Sequence, residues 1–170
     1  FTNKEFIKKR FINAAEWLTK NDEGHGILSN HLAAAAAALM NVYLLTKIKK
    51  YKKRSEYFLE KIIRNQSAEG WYKEYGGADP GYQTHGAFYL SRIWQKNKNK
   101  DLLKSLEKSC EFISYFLHPN KTIGGEYASR NTSFYFPAAF EILSNEIPIA
   151  NEIASFMRTS KDSEQSTGLA

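Results

Sequence analysis

Residues 29–45 read Ser-Asn-His-Leu-Ala-Ala-Ala-Ala-Ala-Ala-Leu-Met-Asn-Val-Tyr-Leu-Leu. The six consecutive alanines, Ala33 to Ala38, favour a helix because alanine has the highest helix propensity, and their small size lets neighbouring helices approach closely. Leucines, Met40 and Val42 extend the apolar surface around most of this helix, which predicts burial on several sides. The stretch therefore predicts a central helix of an all-α fold, with Ser29 as its N-cap.

The same pattern occurs three times along the chain: an amphipathic helix, a Gly-containing loop and a more apolar second helix. We predict first helices at about 3–20, 55–66 and 101–117, the last capped by Asp101. The second helices are predicted to start near residues 29, 81 and 132, so their spacing is about 50 residues. Pro137 lies about one turn into the last of them and predicts a kink or a late start. A final helix at about 148–157 has the pattern of half a fourth unit.

Two-helix repeats of this length are typical of α-solenoids and of α/α-toroids. The toroid is favoured because the second helices are the more apolar, and because the loops that precede them are long and rich in Gly and aromatic residues. We therefore predict an all-α domain of repeated helical hairpins, a partial α/α-toroid, over residues 1–158. Residues 159–170 lack aromatic residues and predict a disordered tail. The remainder of a larger toroid is one expected partner.

Composition and charge narrow the possible partners. The chain of 170 residues is 42% hydrophobic and 14% aromatic, which indicates a globular protein. Its net charge of +6 indicates either a solvated lysine-rich surface or attraction to a polyanion. The densest basic run, residues 47–54, is predicted to be a solvated connection. Since no nucleic-acid-binding motif and no apolar run of transmembrane length occur, we expect neither a nucleic-acid partner nor membrane insertion.

Cysteine and histidine usage argues against a metal or cofactor. Cys110 is the single cysteine and lies in the apolar pattern of a first helix, which predicts a buried structural thiol. His25 and His31 are six residues apart, and no His-Glu-x-x-His or paired-Cys motif is present. We therefore expect no metal and no cofactor. These features leave the cellular compartment open.

The three long loops are expected at one end of the domain, because each joins a first helix to a second helix that runs in the opposite sense. Aromatic rings that stack on sugars, together with carboxylates, amides and an arginine, are typical of a carbohydrate-binding site. Helix N-termini at the same end would suit an anionic substrate group. The residues predicted to bind substrate are Trp71, Tyr72, Glu74, Tyr75, Asp79, Glu126, Tyr127, Arg130 and Asn131, with His25 beside them. Packing of the loops is the alternative role for each ring.

The leading chemical hypothesis is β-elimination from a uronic acid. This reaction removes the weakly acidic proton next to a carboxylate, so a neutral amide or imidazole must stabilise the developing charge. A Tyr or His must then act as base and acid. Asn30, His31, Tyr82 and His85 lie at the predicted starts of the second helices and are the candidate catalytic residues.

Two of these helix starts carry a family resemblance. Asn30-His31, which opens the Ala/Leu-rich helix, and the run Ala78-Asp-Pro-Gly-Tyr82 resemble the heparinase II/III and alginate-lyase group of α/α-toroid polysaccharide lyases. The resemblance covers about residues 28–95. It implies that Asn30 neutralises the substrate carboxylate, that Tyr82 is base and acid, and that His31 supports substrate binding. The lyases of that group have a larger toroid and a following β-sheet domain that contributes further residues.

Other functions remain open on the sequence alone. Glycoside hydrolysis would use two of Glu69, Glu74, Asp79 and Glu126 at a separation of about 5–9 Å. The loop with Glu74 also resembles the helical domain of uronyl epimerases, and the turn Gly70-Trp71 resembles that of terpenoid cyclases, whose acidic motif is absent. A glycan-binding or structural helical repeat domain without catalysis is the non-enzymatic alternative. The best prediction is a carbohydrate-active protein that acts on an acidic polysaccharide, with elimination as the reaction.

Overall fold

The computed structural model describes residues 3–124, 127 and 135–160, and these residues form an all-α protein. Two isolated β-bridges, between Glu74 and Gly77 and between Leu117 and Ile123, are the extended pairings found in this part of the chain. The helices are α1 (Lys4–Lys20), α2 (Ser29–Thr46), α3 (Lys49–Arg64), α4 (Pro80–Asn97), α5 (Lys100–Ser114), α6 (Ala138–Leu143) and α7 (Pro148–Arg158).

The alanine-rich helix α2 lies at the centre of the packing, as its composition predicts. It packs against α3 on one side and α4 on another, and α4 in turn contacts α5 and α6. Ala33 and Ala36 are fully buried, so the close approach that small side chains allow is used here. Helix α7 packs against α5 and α6, whereas the main contacts of α1 are with α2 and α3.

The connections differ in length at the two ends of the helices. Two-residue connections join α2 to α3 and α4 to α5, and each begins with a lysine of positive φ, Lys47 or Lys98, which closes the preceding helix. The connections that lead into α2, α4 and α6 are longer. Successive helices run in opposite senses, so the long connections share one end of the molecule, which we call the loop end.

The basic run at residues 47–54 is not the solvated connection that its composition predicts. From Lys49 onward it forms the first turns of α3. Tyr51 is fully buried, and its hydroxyl donates to Glu16 at 2.5 Å. Arg54 donates to the backbone carbonyls of Leu18 and Asn21. One face of this lysine-rich segment therefore packs on α1, and the helix starts six residues before the predicted Ser55.

Two predicted caps are also wrong. Ser29 is the first residue of α2 rather than its cap, and its hydroxyl donates to the carbonyl of Lys73 at 2.9 Å. Helix α5 is capped by Asn99, whose side chain accepts from the backbone N–H of Leu102 at 2.8 Å, so Asp101 lies inside the helix. The hydroxyl of Ser29 thus makes a tertiary contact instead of a cap, and at α5 the neighbouring Asn99 caps the helix in place of Asp101.

Two predictions for the last part of the chain fall on described residues, the late helix start at Pro137, which is confirmed, and the placement of Ser160 in the tail, which is wrong. Helix α6 begins after Pro137, the late start expected of a proline there, while residues 132–134 and 161–170 lie outside the described part. Ser160, predicted to belong to the tail, is buried and donates to the carbonyl of Lys121 at 2.9 Å. Cys110 is buried as predicted, and burial raises the pKa of its thiol to about 12.

Candidate functional site

The starts of α2 and α4 meet at the loop end. Gly86 of α4 faces Asn30 of α2 so closely that an added Cβ would lie 3.8 Å from the Asn30 Cα. The backbone N–H of Ser29 donates to Lys73 in the α3–α4 loop at 3.1 Å. His31 and His85 follow and precede the two residues in contact, so their backbone positions are adjacent on neighbouring helices, and the charge of His31 acts on His85.

Glu74 joins the α3–α4 loop to the start of α2. One carboxylate oxygen accepts from the backbone N–H of Asn30 and the other from its side-chain amide, each at 2.6 Å. Both residues are 2% exposed. Burial raises the pKa of Glu74 to about 7, against the opposing effect of the two hydrogen bonds, and the charge of Asp79 raises it further.

This contact corrects the role expected of Asn30. A buried amide that already donates to Glu74 is not available to neutralise a substrate carboxylate. Glu74 likewise has both oxygens occupied and lies below the surface, so the predicted contact between Glu74 and substrate does not fit its position. The pair instead fixes the α3–α4 loop against α2.

Two other predicted substrate contacts are structural. Tyr72 is 1% exposed and its hydroxyl shares a hydrogen bond of 2.9 Å with Ser105, while burial raises its pKa. Asp79 is 4% exposed and caps α4 by accepting from the backbone N–H of Tyr82 at 2.9 Å. Side chains so deeply buried do not reach a ligand at the surface, and their bonds hold the loop and the start of α4 in place.

Glu23, in the α1–α2 loop, orients His31. Its Oε2 lies 2.7 Å from Nδ1 of His31, whose side chain is 48% exposed. The hydrogen bond from His31 is the main cause that lowers the pKa of Glu23 to about 2. A carboxylate partner assigns the proton to Nδ1 and leaves Nε2 of His31 as an acceptor. The other oxygen of Glu23 accepts from the backbone N–H of the exposed His25 and also contacts Nδ1 of the same residue.

Tyr75 and Tyr82 form an accessible aromatic pair at the same end, with ring centroids 5.8 Å apart. Tyr75 and Gly76 both have positive φ between the paired residues Glu74 and Gly77, the geometry of a tight hairpin turn. This turn leaves the Tyr75 side chain 58% exposed, and Tyr82 is half-buried in the first turn of α4. Both predicted positions therefore offer ring surface to a ligand.

His85 belongs to an aromatic cluster that brings in the third long loop. Its ring stacks on Phe136 with centroids 4.3 Å apart and lies 5.0 Å from Tyr89. The backbone N–H of Phe136 donates to Thr84 at 3.0 Å. Burial, and to a smaller extent the charge of His31, lowers the pKa of His85, so its imidazole is neutral at neutral pH.

A groove of about 350 Å³ continues from this cluster between α2 and α4. One wall is made of small residues of α2, including Ala34 and Ala38. The other wall carries Tyr89, Arg92 and Lys96, which succeed His85 along one side of α4. Neither cation has an acidic partner among the described residues, so the groove is both aromatic and positively charged.

The remaining predicted residues are more peripheral or lie outside the described residues. Trp71 is half-buried and its indole N–H donates to Glu69 at 2.9 Å. Tyr127 is 65% exposed and its ring contacts are with Phe116 and His118 of its own loop. Glu126, Arg130 and Asn131 lie outside the described residues.

Four contributors were missed by sequence reasoning, namely Glu23, Arg92, Lys96 and Phe136. The signal for Arg92 and Lys96 was present, since they follow His85 and Tyr89 at helical spacing. Glu23 lies eight residues before His31 across a loop, and no local rule predicts that pairing. Phe136 reaches His85 through a contact between residues 51 positions apart, which is equally invisible locally.

The buried carboxyl of Glu74 is expected to make stability depend on pH. Its pKa is raised in the folded state, so the folded protein holds this proton between about pH 4.5 and 7 while the unfolded chain has lost it, and stability falls as pH rises through that window. The unfolding free energy of Glu74→Gln minus that of the wild type should increase by about 3 kcal/mol from pH 4 to pH 8. Urea unfolding of both proteins measures the difference, in which other titrations cancel. A difference that stays constant with pH would contradict the assignment.

Neither metal ligands nor membrane spans appear in the described residues. No three His, Cys, Asp or Glu side chains of that part converge as metal ligands would. None of its helices combines the length and apolar character needed to cross a bilayer. Comparison with protein-family models, curated proteins and solved structures finds no match to this chain.

Proposed function

We propose that the chain is part of an α/α-toroid that binds an acidic polysaccharide at its loop end and cleaves it by lyase-type β-elimination. The observation that carries the proposal is the Glu23–His31 hydrogen bond, which orients an exposed imidazole at the place where α2 and α4 begin. Exposed histidines are common on protein surfaces. A histidine held by a carboxylate beside a second, neutral histidine and a tyrosine pair is a more specific arrangement.

The reaction assigns a task to each group. The base removes the proton at C5 of a uronate, the C4–O bond breaks as a C4–C5 double bond forms, and an acid protonates the departing glycosidic oxygen. Nε2 of His31, left as an acceptor by Glu23, is the candidate base. Tyr82, in the first turn of α4, is the candidate acid. The family resemblance differs in one point, since it implies that Tyr82 is both base and acid and that His31 supports substrate binding.

The substrate carboxylate needs a partner other than Asn30, whose amide is bound to Glu74. His85 is half-buried, and the lowered pKa keeps its imidazole neutral, so it is the candidate donor to the developing negative charge. The rings of Tyr75 and Tyr82 supply stacking surface for the sugar. Asn30 and Glu74 act indirectly, since they hold the loop that carries Tyr75.

Preference for an acidic polymer is supported by the groove between α2 and α4. Tyr89 offers a ring next to His85, and Arg92 and Lys96 follow within the next two helical turns. The rise of an α-helix places Lys96 about 16 Å beyond His85 along α4. An extended chain of uronates bound at the loop end would therefore continue along two cations that are not neutralised by acidic residues of the described part.

Removing these two cations is expected to weaken binding of long substrates. The double variant Arg92→Gln/Lys96→Gln should raise KM for the polymer roughly fivefold while kcat stays within about twofold, because two exposed ionic contacts are worth about 1 kcal/mol together. Steady-state kinetics on long and short chains measures the effect, which should be absent for short oligosaccharides. The matched control is Lys104→Gln/Lys108→Gln, which removes the same charge from the surface between α3 and α5. Equal effects of the two double variants would contradict a role for the groove.

The reaction itself is tested by ultraviolet absorbance, since elimination creates an unsaturated uronate. The wild-type chain is assayed on alginate, heparan and pectic polysaccharides, with neutral dextran as the control. Rising absorbance with at least one acidic polymer and none with dextran is expected. Binding of an acidic polymer without any rise in absorbance would refute the lyase proposal and favour the non-catalytic glycan-binding alternative.

A further inference from the structure

The first half of α1 exposes large apolar side chains. Phe6 is 54% exposed, Ile7 38% and Phe11 53%, and the only buried residue of the helix is Ala15. Leu45 at the end of α2 is 53% exposed and lies beside Ile7 and Phe11. Ile48, in the connection to α3, is 41% exposed. Ile7, Phe11 and Leu45 lie together, and Phe6 and Ile48 are exposed in the adjoining chain segments; we call these five residues the α1 patch.

The α1 patch is surrounded by basic residues. The stretches 4–11 and 45–53 contain nine lysines and arginines and a single acidic residue, Glu5. Lys50 pairs with Glu16 and Lys52 with Glu56. The other seven cations have no acidic partner among the described residues, namely Lys4, Lys8, Lys9, Arg10, Lys47, Lys49 and Lys53.

We propose that the α1 patch is a docking surface for a membrane that carries anionic lipids. A basic amphipathic helix that exposes phenylalanine and isoleucine has the chemistry of an interfacial helix: the apolar side chains enter the headgroup region while lysines contact lipid phosphates. Long lysine side chains can reach outward to the phosphates while their stems cover apolar surface. The chain lies on the bilayer in this arrangement and does not cross it.

Charge favours a lipid surface over a second copy of this chain. Two copies that met through the α1 patch would bring together two sets of seven cations that lack an acidic partner among the described residues, with Glu5 as the one acid of these stretches in each. That repulsion opposes self-association. A bilayer with anionic headgroups supplies a counter-charge as well as an apolar interior. The α1 patch lies where α1 begins and α2 ends, away from the loop end, so docking leaves the proposed substrate site facing the solvent.

Vesicle co-sedimentation tests the docking surface independently of any enzymatic activity. The full chain is mixed with phosphatidylcholine vesicles, either pure or with about one-third phosphatidylglycerol. Binding to the anionic vesicles only is expected, and it should weaken as salt is raised because the lysine contacts are screened. Equal recovery with both kinds of vesicle, or recovery with neither, would overturn the proposal.

Matched variants then locate the contact. Phe6→Ser/Ile48→Ser should lower vesicle affinity at least about 10-fold, since two exposed apolar side chains lose their insertion, and Lys8→Glu/Lys49→Glu should do the same by reversing charge. The controls are Tyr115→Ser, which removes an aromatic ring that is 85% exposed elsewhere, and Lys108→Glu on α5. Circular dichroism checks that each variant is folded.

Two outcomes would refute this assignment. If the control variants weaken vesicle binding as much as the patch variants do, the attraction is a property of net charge and not of the α1 patch. If light scattering without lipid reveals a dimer that Phe6→Ser/Ile48→Ser dissociates, the occupant is a second copy of the chain. Light scattering is expected to show a monomer for both the wild type and Phe6→Ser/Ile48→Ser.

Discussion

Replacing His31 by alanine is expected to lower kcat on the acidic polysaccharide about 100- to 10 000-fold, the range that a general base contributes. The reason is geometric: Glu23 holds Nδ1 of His31 at 2.7 Å and so presents Nε2 to the solvent at the loop end. Glu23→Gln should cost about 10- to 100-fold, since the imidazole remains but its orientation is lost. The measurement is the initial rate of absorbance increase under saturating substrate.

His25 provides the matched control for this prediction. It contacts the same carboxylate of Glu23 at 2.9 Å, but its side chain is 85% exposed and lies in the loop rather than on α2. His25→Ala should therefore leave kcat within about threefold of the wild type, far below the loss expected of a general base. If the His25 and His31 variants lose activity equally, or if neither loses it, His31 is not the base.

The largest expected loss of stability is that of Gly70→Ala. Gly70 has a φ of +96°, and an alanine Cβ there would lie 2.2 Å from the backbone carbonyl oxygen of Lys108. The loop cannot retain its place on α5 with that clash, because a backbone atom has no alternative rotamer to adopt. We expect the free energy of unfolding to fall by at least about 3 kcal/mol in urea titrations, the sum of left-handed strain and overpacking.

The variant Gly76→Ala separates left-handed strain from the steric clash. Its φ of +103° is nearly the same, but an added Cβ would meet nothing within 4 Å. Gly76→Ala should cost only about 1 kcal/mol, the price of the left-handed conformation for an L-residue. Similar losses for the two variants would mean that the contact between Gly70 and α5 is not formed in solution.

Local signals act at several helix starts, although the two caps predicted from them, Ser29 and Asp101, are wrong. Asn3 accepts from Phe6, Asp79 caps α4, and Pro148 opens α7, all within the first turn of their helices. The start of α3 was missed because its lysines mask Tyr51, a single buried residue whose hydrogen bond is to Glu16 on another helix. Caps and prolines act locally, whereas burial of one ring depends on the tertiary fold.

The candidate site was likewise predictable in part: the position of the loops followed from the sequence, but the contacts of individual side chains did not. Antiparallel helices predict that the long loops share one end, and the contacts of Ser29 with Lys73 and of Thr84 with Phe136 agree with that expectation. The hydrogen-bond partner of each side chain was not predictable from the sequence. Asn30 has the right residue type to bind a carboxylate, but the carboxylate it binds is that of Glu74, 44 residues away in the same chain.

Glu74 also belongs to a short dipeptide that recurs in the sequence. The dipeptides Glu74-Tyr75 and Glu126-Tyr127 are 52 residues apart, the same distance that separates the predicted starts of the first two second helices, near 29 and 81. Glu74 of the first dipeptide accepts both hydrogen bonds from Asn30 at the start of α2.

Nuclear magnetic resonance of the histidine rings tests the central claim most directly, because the chain has only four histidines. A short acidic oligosaccharide is titrated into the protein, and the ring signals are assigned by single substitutions. The account predicts saturable shifts of His31 and His85, which lie together at the starts of α2 and α4, while His118, bonded to Thr122 in a different loop, stays unchanged. Saturable binding of the oligosaccharide that leaves the signals of both His31 and His85 unmoved would contradict it.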